Sequence, residues 1–310
     1  MRIAAKLPAG ALETPGGGID EVDLTPIRTY WQLVRTRFLH HRMAATAVIL
    51  MAILIFASIF FPIVGGDAWF RTSLKFGPKD PVSLTAPLGY DNIGINIFYR
   101  LMKALQTSLM IGGVAVLIIS VIGTAVGAVA GYVGGAVDNV LMRVVDIVLS
   151  LPTFFLVIMF VAFLGSGNVF VIIFAIGLTG WTTAARLVRA EFLRLREAEF
   201  VQAAKALGAS DRRIAVRHMI PGAMAPVVVA ATLGIADAVV TEAALSFLGF
   251  GLLPPEASLG NMLTNAQDYF YRQPLWIYYP GITLILVVIA ASFIGDGVRD
   301  ALDPRQRVEN

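Results

Sequence analysis

The chain has 310 residues, of which 57% are hydrophobic and only 15% are charged. Soluble domains carry about 25% charged residues, so this composition excludes an ordinary soluble domain and indicates a protein of the lipid bilayer. The sequence contains no Cys, which excludes disulfides, zinc–thiolate sites and cysteine nucleophiles. The formal net charge of +3 is small, so the position of the charges along the chain is more informative than their sum.

The first apolar segment covers residues 43–64 and contains no charged residue. It is long enough to cross a membrane as a helix. The preceding segment, 1–42, is too long for an ordinary signal peptide, and no A-x-A cleavage site follows it. We therefore expect an uncleaved first transmembrane helix at 43–64. In the tail before it, the basic stretch "TYWQLVRTRFLHHR" (29–42) predicts a helix on the membrane surface.

The rest of the chain alternates apolar runs with polar connections. A charge-free run from 147 to 185 is interrupted by "LGSGN" at 164–168, which predicts a tight turn between two spans. The pattern therefore predicts an all-α polytopic membrane protein with six transmembrane helices. After the first, and beyond a loop at 65–103, the spans are expected at 107–131, on either side of 164–168, at 224–248 and at 275–295.

The basic residues predict the orientation of these spans. Eighteen Lys and Arg residues fall in the two tails and in the connections at 132–146 and 186–220, whereas six fall on the opposite face. Basic residues collect on the cytoplasmic side of membrane proteins. Both termini are therefore expected to be cytoplasmic, and 65–103 is expected to be an extracytoplasmic loop.

Four glycines recur every four residues through the second predicted span, at Gly123, Gly127, Gly131 and Gly135. This spacing puts small residues on one helix face, where another backbone can approach closely. The face can pack either inside the subunit or against a second subunit.

Two acids, Asp237 and Glu242, fall inside the fifth predicted span. Charged groups in the membrane are costly, so each invites a functional hypothesis. Five residues turn a helix by about 500°, which leaves the two side chains roughly 140° apart. They are therefore not expected to act as one proton-relay pair. Each is expected to meet a neighbouring helix, a water-filled path or another subunit, and both are candidates for lining a substrate path.

A polar stretch separates the fourth and fifth predicted spans. Residues 183–207 contain strong helix formers and no Gly or Pro, so the fourth helix is expected to continue beyond the membrane. Gly208 is suited to end a helix, and Ser210 or Asp211 can cap a second short one. Pro221 is expected to stop that second helix. Composition alone would favour a solvated basic loop that follows the charge rule.

The order of residues in this stretch resembles the cytoplasmic "EAA" loop of ATP-binding-cassette (ABC) importer permeases. Gln202 stands where that loop usually has Glu, and Gly222 stands where close relatives have Asn. The matching positions are Gln202, Ala203, Ala204, Gly208, Ile214, His218 and Pro221.

Four other segments, in the same order, resemble the C-type permease subunit of the dipeptide/oligopeptide (peptide/nickel) branch of that family. The likeness covers roughly 30–305 and departs from the family pattern at Tyr90, Ile95, Asn96 and Gln106. The segments are "PLGYDNIGINIFYRLMKALQTSLMIG" (87–112), "GYVGGAVDNVLMRVVDIVLSLP" (131–152), "EAALSFLGFGLLPPEASLGNML" (242–263) and "GDGVRDALDPR" (295–305).

The resemblance implies the type I ABC importer permease fold in a bacterial or archaeal cytoplasmic membrane. The permease domain would cover 104–297, contain a coupling loop at 186–222 and end in a cytoplasmic tail at 298–310. The chain would form half of a translocation path for peptides. The implied partners are a second homologous permease subunit, two ATPase subunits and an extracytoplasmic substrate-binding protein.

The resemblance also assigns roles within the coupling loop. A short helix around 199–217 would dock in a groove of the ATPase. The implied contacts are Ala203, Ala204, Gly208 and Arg212. Gln202 and Pro221 belong to the same loop, and His218 would be either a structural hydrogen-bonding group or a pH-sensitive one.

The chain itself indicates a subunit without catalytic residues, bound cofactor or metal. No G-x-x-x-x-G-K-[ST] phosphate-binding loop occurs in the sequence, so ATP and Mg²⁺ are expected to bind to partner subunits. The alternatives are a permease for a nickel chelate, glutathione or a haem-like molecule, or a stand-alone proton-coupled carrier that titrates Asp237 and Glu242. An intramembrane enzyme is disfavoured because H-E-x-x-H and G-x-S-x-G are both absent.

Overall fold

The computed structural model describes residues 30–302 apart from 74 and 79–81, so 1–29 of the expected N-terminal tail (1–42) and 303–310 of the expected C-terminal tail (298–310) lie outside the described residues. Within the described part, the regular structure is helical, with one isolated β-bridge between Tyr90 and Asn96. The helices are α1 (Tyr30–His40), α2 (Arg42–Gly65), α3 (Ile97–Val133), α4 (Gly135–Leu149), α5 (Thr153–Leu164), α6 (Val169–Arg196), α7 (Glu199–Ala206), α8 (Asp211–Ile214), α9 (Ile220–Phe247), α10 (Leu259–Gln267) and α11 (Leu275–Leu302).

Five helices in the described part are long and apolar enough to cross a membrane, and a sixth span exists if α4 and α5 are counted together. These two helices meet at an angle of 85°. The third span is therefore broken, whereas the sequence predicted a continuous helix. Pro152 explains the break, because it lacks an N–H and disfavours helical backbone in the residue before it.

The helix α3 begins at Ile97 and runs for 37 residues, about ten residues earlier than its apolar run indicated. Asn96 sets this start, since its side-chain oxygen accepts hydrogen bonds from the N–H groups of Phe98 and Tyr99. The Asn96 amide also donates to the carbonyl of Thr85. Asn is as good a helix N-cap as Asp, so this departure from the family pattern preserves the local structure.

The glycines of α3 pack against α6 inside the subunit. A methyl group at Gly123 would lie 2.5 Å from Cβ of Ala184, and one at Gly127 would overlap the carbonyl oxygen of Ala185. The fourth glycine, Gly135, lies instead beyond α3, as the first residue of α4, with φ of +57°. The expected packing inside the subunit is thus confirmed for the glycines within α3.

Two ion pairs hold α4 against α6. The Arg189 guanidinium donates to both carboxylate oxygens of Asp138, at 2.5 and 2.6 Å. Arg186 donates to Asp146 at 2.5 Å. A bidentate pair such as Arg189–Asp138 fixes the relative geometry of the two side chains as well as pairing their charges. The ion pairs therefore hold α4 on α6, although α5 bends away from the direction of α4.

The two ends of the described chain and the α6–α9 connection lie at the same end of the helical bundle, because Gly65 at the end of α2 packs on Tyr99 near the start of α3, and α3 then returns to that end. Near the ends of the described chain, Nε2 of His41 lies 3.5 Å from Oδ2 of Asp300. Beside the connection, the Tyr132 hydroxyl donates to Oδ1 of Asp211 at 2.7 Å. This arrangement agrees with an even number of membrane crossings.

We expect Gly127→Val to lower the stability of the protein while Gly113→Ala leaves it unchanged or slightly raises it. A valine side chain at the first position would meet the backbone of α6, and overpacking of this kind costs about 1–3 kcal/mol. At Gly113 on the same helix, a methyl group would have no atom of residues 30–73, 75–78 or 82–302 within 4 Å, apart from its own chain neighbours and helix backbone. Thermal unfolding midpoints of the two purified variants in one detergent test this, and equal midpoints would contradict it.

Candidate functional site

The connection between α6 and α9, residues 197–219, has the predicted helix, glycine turn and second helix, although the first helix is interrupted between Arg196 and Glu199. We call it the α7–α8 loop. The eight-residue helix α7 ends before Gly208, whose φ of +76° lies in the left-handed region that favours glycine. Ser210 then occupies the N-cap position of α8. The predicted order of helix, glycine turn and second helix is therefore confirmed.

The α7–α8 loop is attached to the bundle through apolar side chains. Val201, Ile214 and Met219 are fully buried and pack in one cluster with Phe192 and Leu195 of α6. The loop is therefore a packed extension of α6 and α9. A force applied to it would reach both helices.

The outer side of the loop is exposed. Ala203, Gly208 and Arg212 all face solvent, and Arg212 has no ion pair within the described part of the chain. Two apolar side chains that the sequence analysis missed are also exposed, namely Leu207 at 88% and Phe200 at 49%. Their signal was present, since they are large apolar residues seven positions apart in a polar stretch.

Three other predicted loop residues take specific positions. Ala204 is half-buried beside the apolar cluster. The Gln202 amide donates to the carbonyl of Arg196 at 2.9 Å and so gives this carbonyl, at the C-terminus of α6, a hydrogen-bond partner. A Glu carboxylate has no hydrogen to donate there. The hydrogen bond expected for His218 is not found among the described residues, and this side chain is exposed.

Pro221 does not end the second helix, which corrects the sequence-based prediction. The helix continues from Asp211 to Phe247. Residues 215–219 form one π-helical turn, in which the N–H of Ile220 donates to the carbonyl of Ala215, five residues back. A π turn before proline accommodates the missing N–H without breaking the helix, and such turns are frequent at functional sites.

Glu242 is fully buried inside the subunit. Its two carboxylate oxygens accept hydrogen bonds from the hydroxyls of Ser108 at 2.7 Å and Ser246 at 2.8 Å. Of the open alternatives, Glu242 thus meets a neighbouring helix. Glu242 lines neither of the two cavities described below, so we no longer propose it as a residue of the substrate path.

The bonds around Glu242 lead to the N-terminus of α10. The N–H of Leu259 donates to the Ser108 hydroxyl, and the N–H of Asn261 donates to the Ser258 hydroxyl. Ser258 in turn donates to Ser246. Each hydrogen therefore points towards the carboxylate, so the positive end of the α10 dipole acts as its counter-charge through two serine relays.

Asp237 has a different environment. It is exposed and lines a cleft of about 300 Å³ between α3, α5, α6 and α9. Its carboxylate makes no hydrogen bond or ion pair with the described residues, although Thr241 donates to its backbone carbonyl at 2.7 Å. The structure thus separates the two intramembrane acids, as their angular spacing indicated.

A larger cavity of about 590 Å³ lies at the opposite end of the bundle from the α7–α8 loop. The sequence analysis did not predict it. It is lined in part by Trp276 and by the Asp91–Arg100 ion pair, whose atoms lie 3.3 Å apart. Burial raises the pKa of Asp91 above that of an exposed carboxyl, although the N–H groups of Ile95 and Ile93 donate to it and oppose the shift.

Within the described residues, no group of three or more His, Asp or Glu side chains is arranged to hold a metal ion.

Comparison with known families agrees with this architecture. Residues 123–308 match the family described as the binding-protein-dependent transport system inner membrane component. Residues 29–71 match the N-terminal TM domain of oligopeptide transport permease C. Fold and loop together define an integral membrane subunit of a binding-protein-dependent transport system.

Individual relatives narrow the assignment. The chain is 35% identical to the dipeptide transport system permease protein DppC of Alkalihalophilus pseudofirmus, over 89% of this chain and 90% of that protein. It is 34% identical to the oligopeptide transport system permease protein OppC of Bacillus subtilis, over the same shares. It is also 35% identical to the glutathione transport system permease protein GsiD of Pectobacterium atrosepticum, over 90% and 92% of the two chains. The chain belongs to the DppC/OppC family of ABC transport permeases, and the resemblance seen in the sequence is confirmed.

A solved structure supports the fold alone. An inward-facing structure of the MetNI methionine ABC transporter aligns with a TM-score of 0.53 and 20% sequence identity, over 66% of this chain and 96% of that one. The helical arrangement is therefore that of an ABC importer permease.

We expect Ser108→Ala to destabilise the protein by about 1–3 kcal/mol, because it leaves the buried N–H of Leu259 and one oxygen of Glu242 without a partner. Ser58→Ala is the matched control. Ser58 is also buried, but its hydroxyl bonds only to the carbonyl of Ile55 in its own helix. Thermal unfolding of both variants in detergent tests this. An equal loss of stability in both would contradict a special role for the hydrogen bonds around Glu242.

Proposed function

We propose that this chain is a transmembrane permease subunit of an ATP-driven importer and forms half of its translocation path for peptides. The observation that carries the proposal is the α7–α8 loop. It is anchored by buried Val201 and Ile214, yet presents Leu207 and Gly208 to solvent. An exposed apolar tip on a rigidly held loop suits insertion into a groove of another protein.

The partners follow from what the chain lacks and from its family. It has no phosphate-binding loop, so two ATPase subunits bind and hydrolyse ATP with Mg²⁺, and this subunit is non-catalytic and needs no cofactor. A second homologous permease subunit completes the path, and an extracytoplasmic binding protein delivers the substrate. The distribution of basic residues supports a cytoplasmic position for both termini and for the α7–α8 loop, and the family supports a bacterial or archaeal cytoplasmic membrane.

The mechanism is rigid-body switching between packings of the helices. Closure of the ATPases moves the α7–α8 loop, with Ala203, Ala204 and Gly208 in the groove and Arg212 beside an acidic group. The loop passes the movement to α6 through its apolar cluster and to α9 through continuous helix. Three further residues belong to this unit. Gln202 caps α6, and Pro221 lies in the continuous helix. His218 is exposed to solvent and stays a predicted residue of the coupling loop.

A stand-alone proton-coupled carrier fits the structure less well. Such a carrier would titrate Asp237 and Glu242 together, but Glu242 is sealed from solvent by Ser108 and Ser246. Among cargoes, relatives named for dipeptides, oligopeptides and glutathione all favour compounds with peptide bonds. A nickel chelate or a haem-like molecule is the alternative cargo.

Reconstitution in liposomes tests the function. The chain is co-reconstituted with the second permease, the ATPases and the binding protein encoded beside it, and uptake of labelled di- and oligopeptides is measured with and without ATP. We expect ATP-dependent uptake, and none from this chain alone under a pH gradient. Uptake by the chain alone would support the carrier instead, and uptake of a nickel chelate but of no peptide would reassign the cargo.

We expect Gly208→Trp to abolish uptake while the subunit remains in the membrane at its normal level. Apart from its chain neighbours, none of the described residues lies within 4 Å of a Cβ atom at this position, so the indole would project into the ATPase groove. The positive φ would add strain of about 1–2 kcal/mol. Gly208→Asn is the control, because Asn tolerates this conformation. Normal uptake by Gly208→Trp would remove the docking argument.

A further inference from the structure

We propose that the cleft beside Asp237 is a cation-selective subsite that receives the ammonium end of the cargo as it crosses the membrane. The inference rests on the proposed function and adds a chemical class of ligand. Asp237 is the only charged residue that lines this cleft in the described part of the chain. The remaining polar lining consists of hydroxyls, from Ser120, Thr153, Thr179, Thr182, Thr183 and Thr241.

Asp237 lies deep in the apolar span, where its carboxylate attracts a cation strongly. It lies ten residues before the end of α9, so it stands about 15 Å inside the helix end, well within the apolar span. A carboxylate at this depth needs a partner or water. The described residues offer it no hydrogen bond or ion pair, and the cleft beside it is open.

Two of the six hydroxyls in the cleft can act only as hydrogen-bond acceptors towards a ligand. The Thr241 hydroxyl donates its hydrogen to the carbonyl of Asp237 at 2.7 Å, and the Thr179 hydroxyl donates to that of Ala175 at 2.8 Å. Both oxygens therefore have only lone pairs left to offer. An ammonium group brings three N–H donors and no acceptor, so it matches these oxygens and the carboxylate of Asp237. An anionic group matches neither.

Glu242 provides a contrast inside the same helix. Its carboxylate already receives hydrogen bonds from Ser108 and Ser246 and has no exposed surface. It therefore cannot receive a ligand without loss of its own bonds. The cleft carboxylate is the accessible one, and the cation-binding role falls to Asp237.

Charged thiol reagents can test the field in the cleft, because the chain contains no Cys. Thr183→Cys places one thiol on the cleft lining, and Thr85→Cys places one in an exposed loop outside it. In the reconstituted transporter, both are treated with aminoethyl methanethiosulfonate, a cation, and sulfonatoethyl methanethiosulfonate, an anion. Intact mass of this subunit gives each modification rate.

We expect the ratio of cation to anion rates to be at least about tenfold higher at Thr183→Cys than at Thr85→Cys. Asp237→Asn should bring the two ratios within about twofold, and Asp237→Glu should keep them apart. If Asp237→Asn leaves the ratio at Thr183→Cys unchanged, the proposal is overturned. This result is expected if a basic residue of a partner subunit already neutralises Asp237. Failure of both reagents to reach Thr183→Cys would also overturn it.

Uptake then tests the ligand class. For a peptide with a free α-amine, Asp237→Asn should lower ATP-driven uptake about tenfold, and Asp237→Glu should retain at least half of it. Unchanged uptake in Asp237→Asn would overturn the proposal, as would equal losses in Asn and Glu variants. Absence of ATP-driven peptide uptake by the unsubstituted transporter would refute the proposed function instead, while the reagent ratios would still report the charge of the cleft.

Discussion

The close contact between α3 and α6 is the constraint on which the rest of the structure depends. In lipid no hydrophobic force draws two apolar helices together, so close approach of backbones supplies the attraction. Gly123 and Gly127 provide it, since even a methyl group at Gly127 would overlap the backbone of α6. The same α6 then carries the α7–α8 loop at one end and part of the Asp237 cleft along its length.

Polar side chains attach the remaining elements to this central pair. Arg189 and Asp138 hold α4 on α6, and the serine relays of Glu242 hold the N-terminus of α10 against α3 and α9. Close backbone contact reinforces the second junction, because a methyl group at Gly260 would lie 2.7 Å from Cα of Ala243. A buried carboxylate is tolerated there because every bond that it needs is already made. Specific bonds thus replace the solvent-driven packing of a soluble protein.

The sequence predicted those features that local chemistry decides. Apolar runs located most spans, and Gly208 located the turn of the α7–α8 loop, because only glycine enters left-handed backbone freely. It missed the bend at Pro152 because the span was assigned from its lack of charge, although a proline in such a run is itself a signal for a break. It also misjudged Pro221, because the π turn that accommodates this proline depends on neighbouring carbonyls. The start of α3 depended on the cap at Asn96, which hydropathy does not register.

The contrast between Asp237 and Glu242 marks the limit of sequence reasoning at the candidate site. Helical spacing separated their faces correctly, but it could not tell which face was sealed. That depends on Ser108 and Ser258, which lie more than a hundred residues apart in sequence and meet only in the folded bundle. A carboxylate in an apolar span needs donors from somewhere. Glu242 takes them from its own subunit, whereas the donors for Asp237 must come from whatever occupies the cleft.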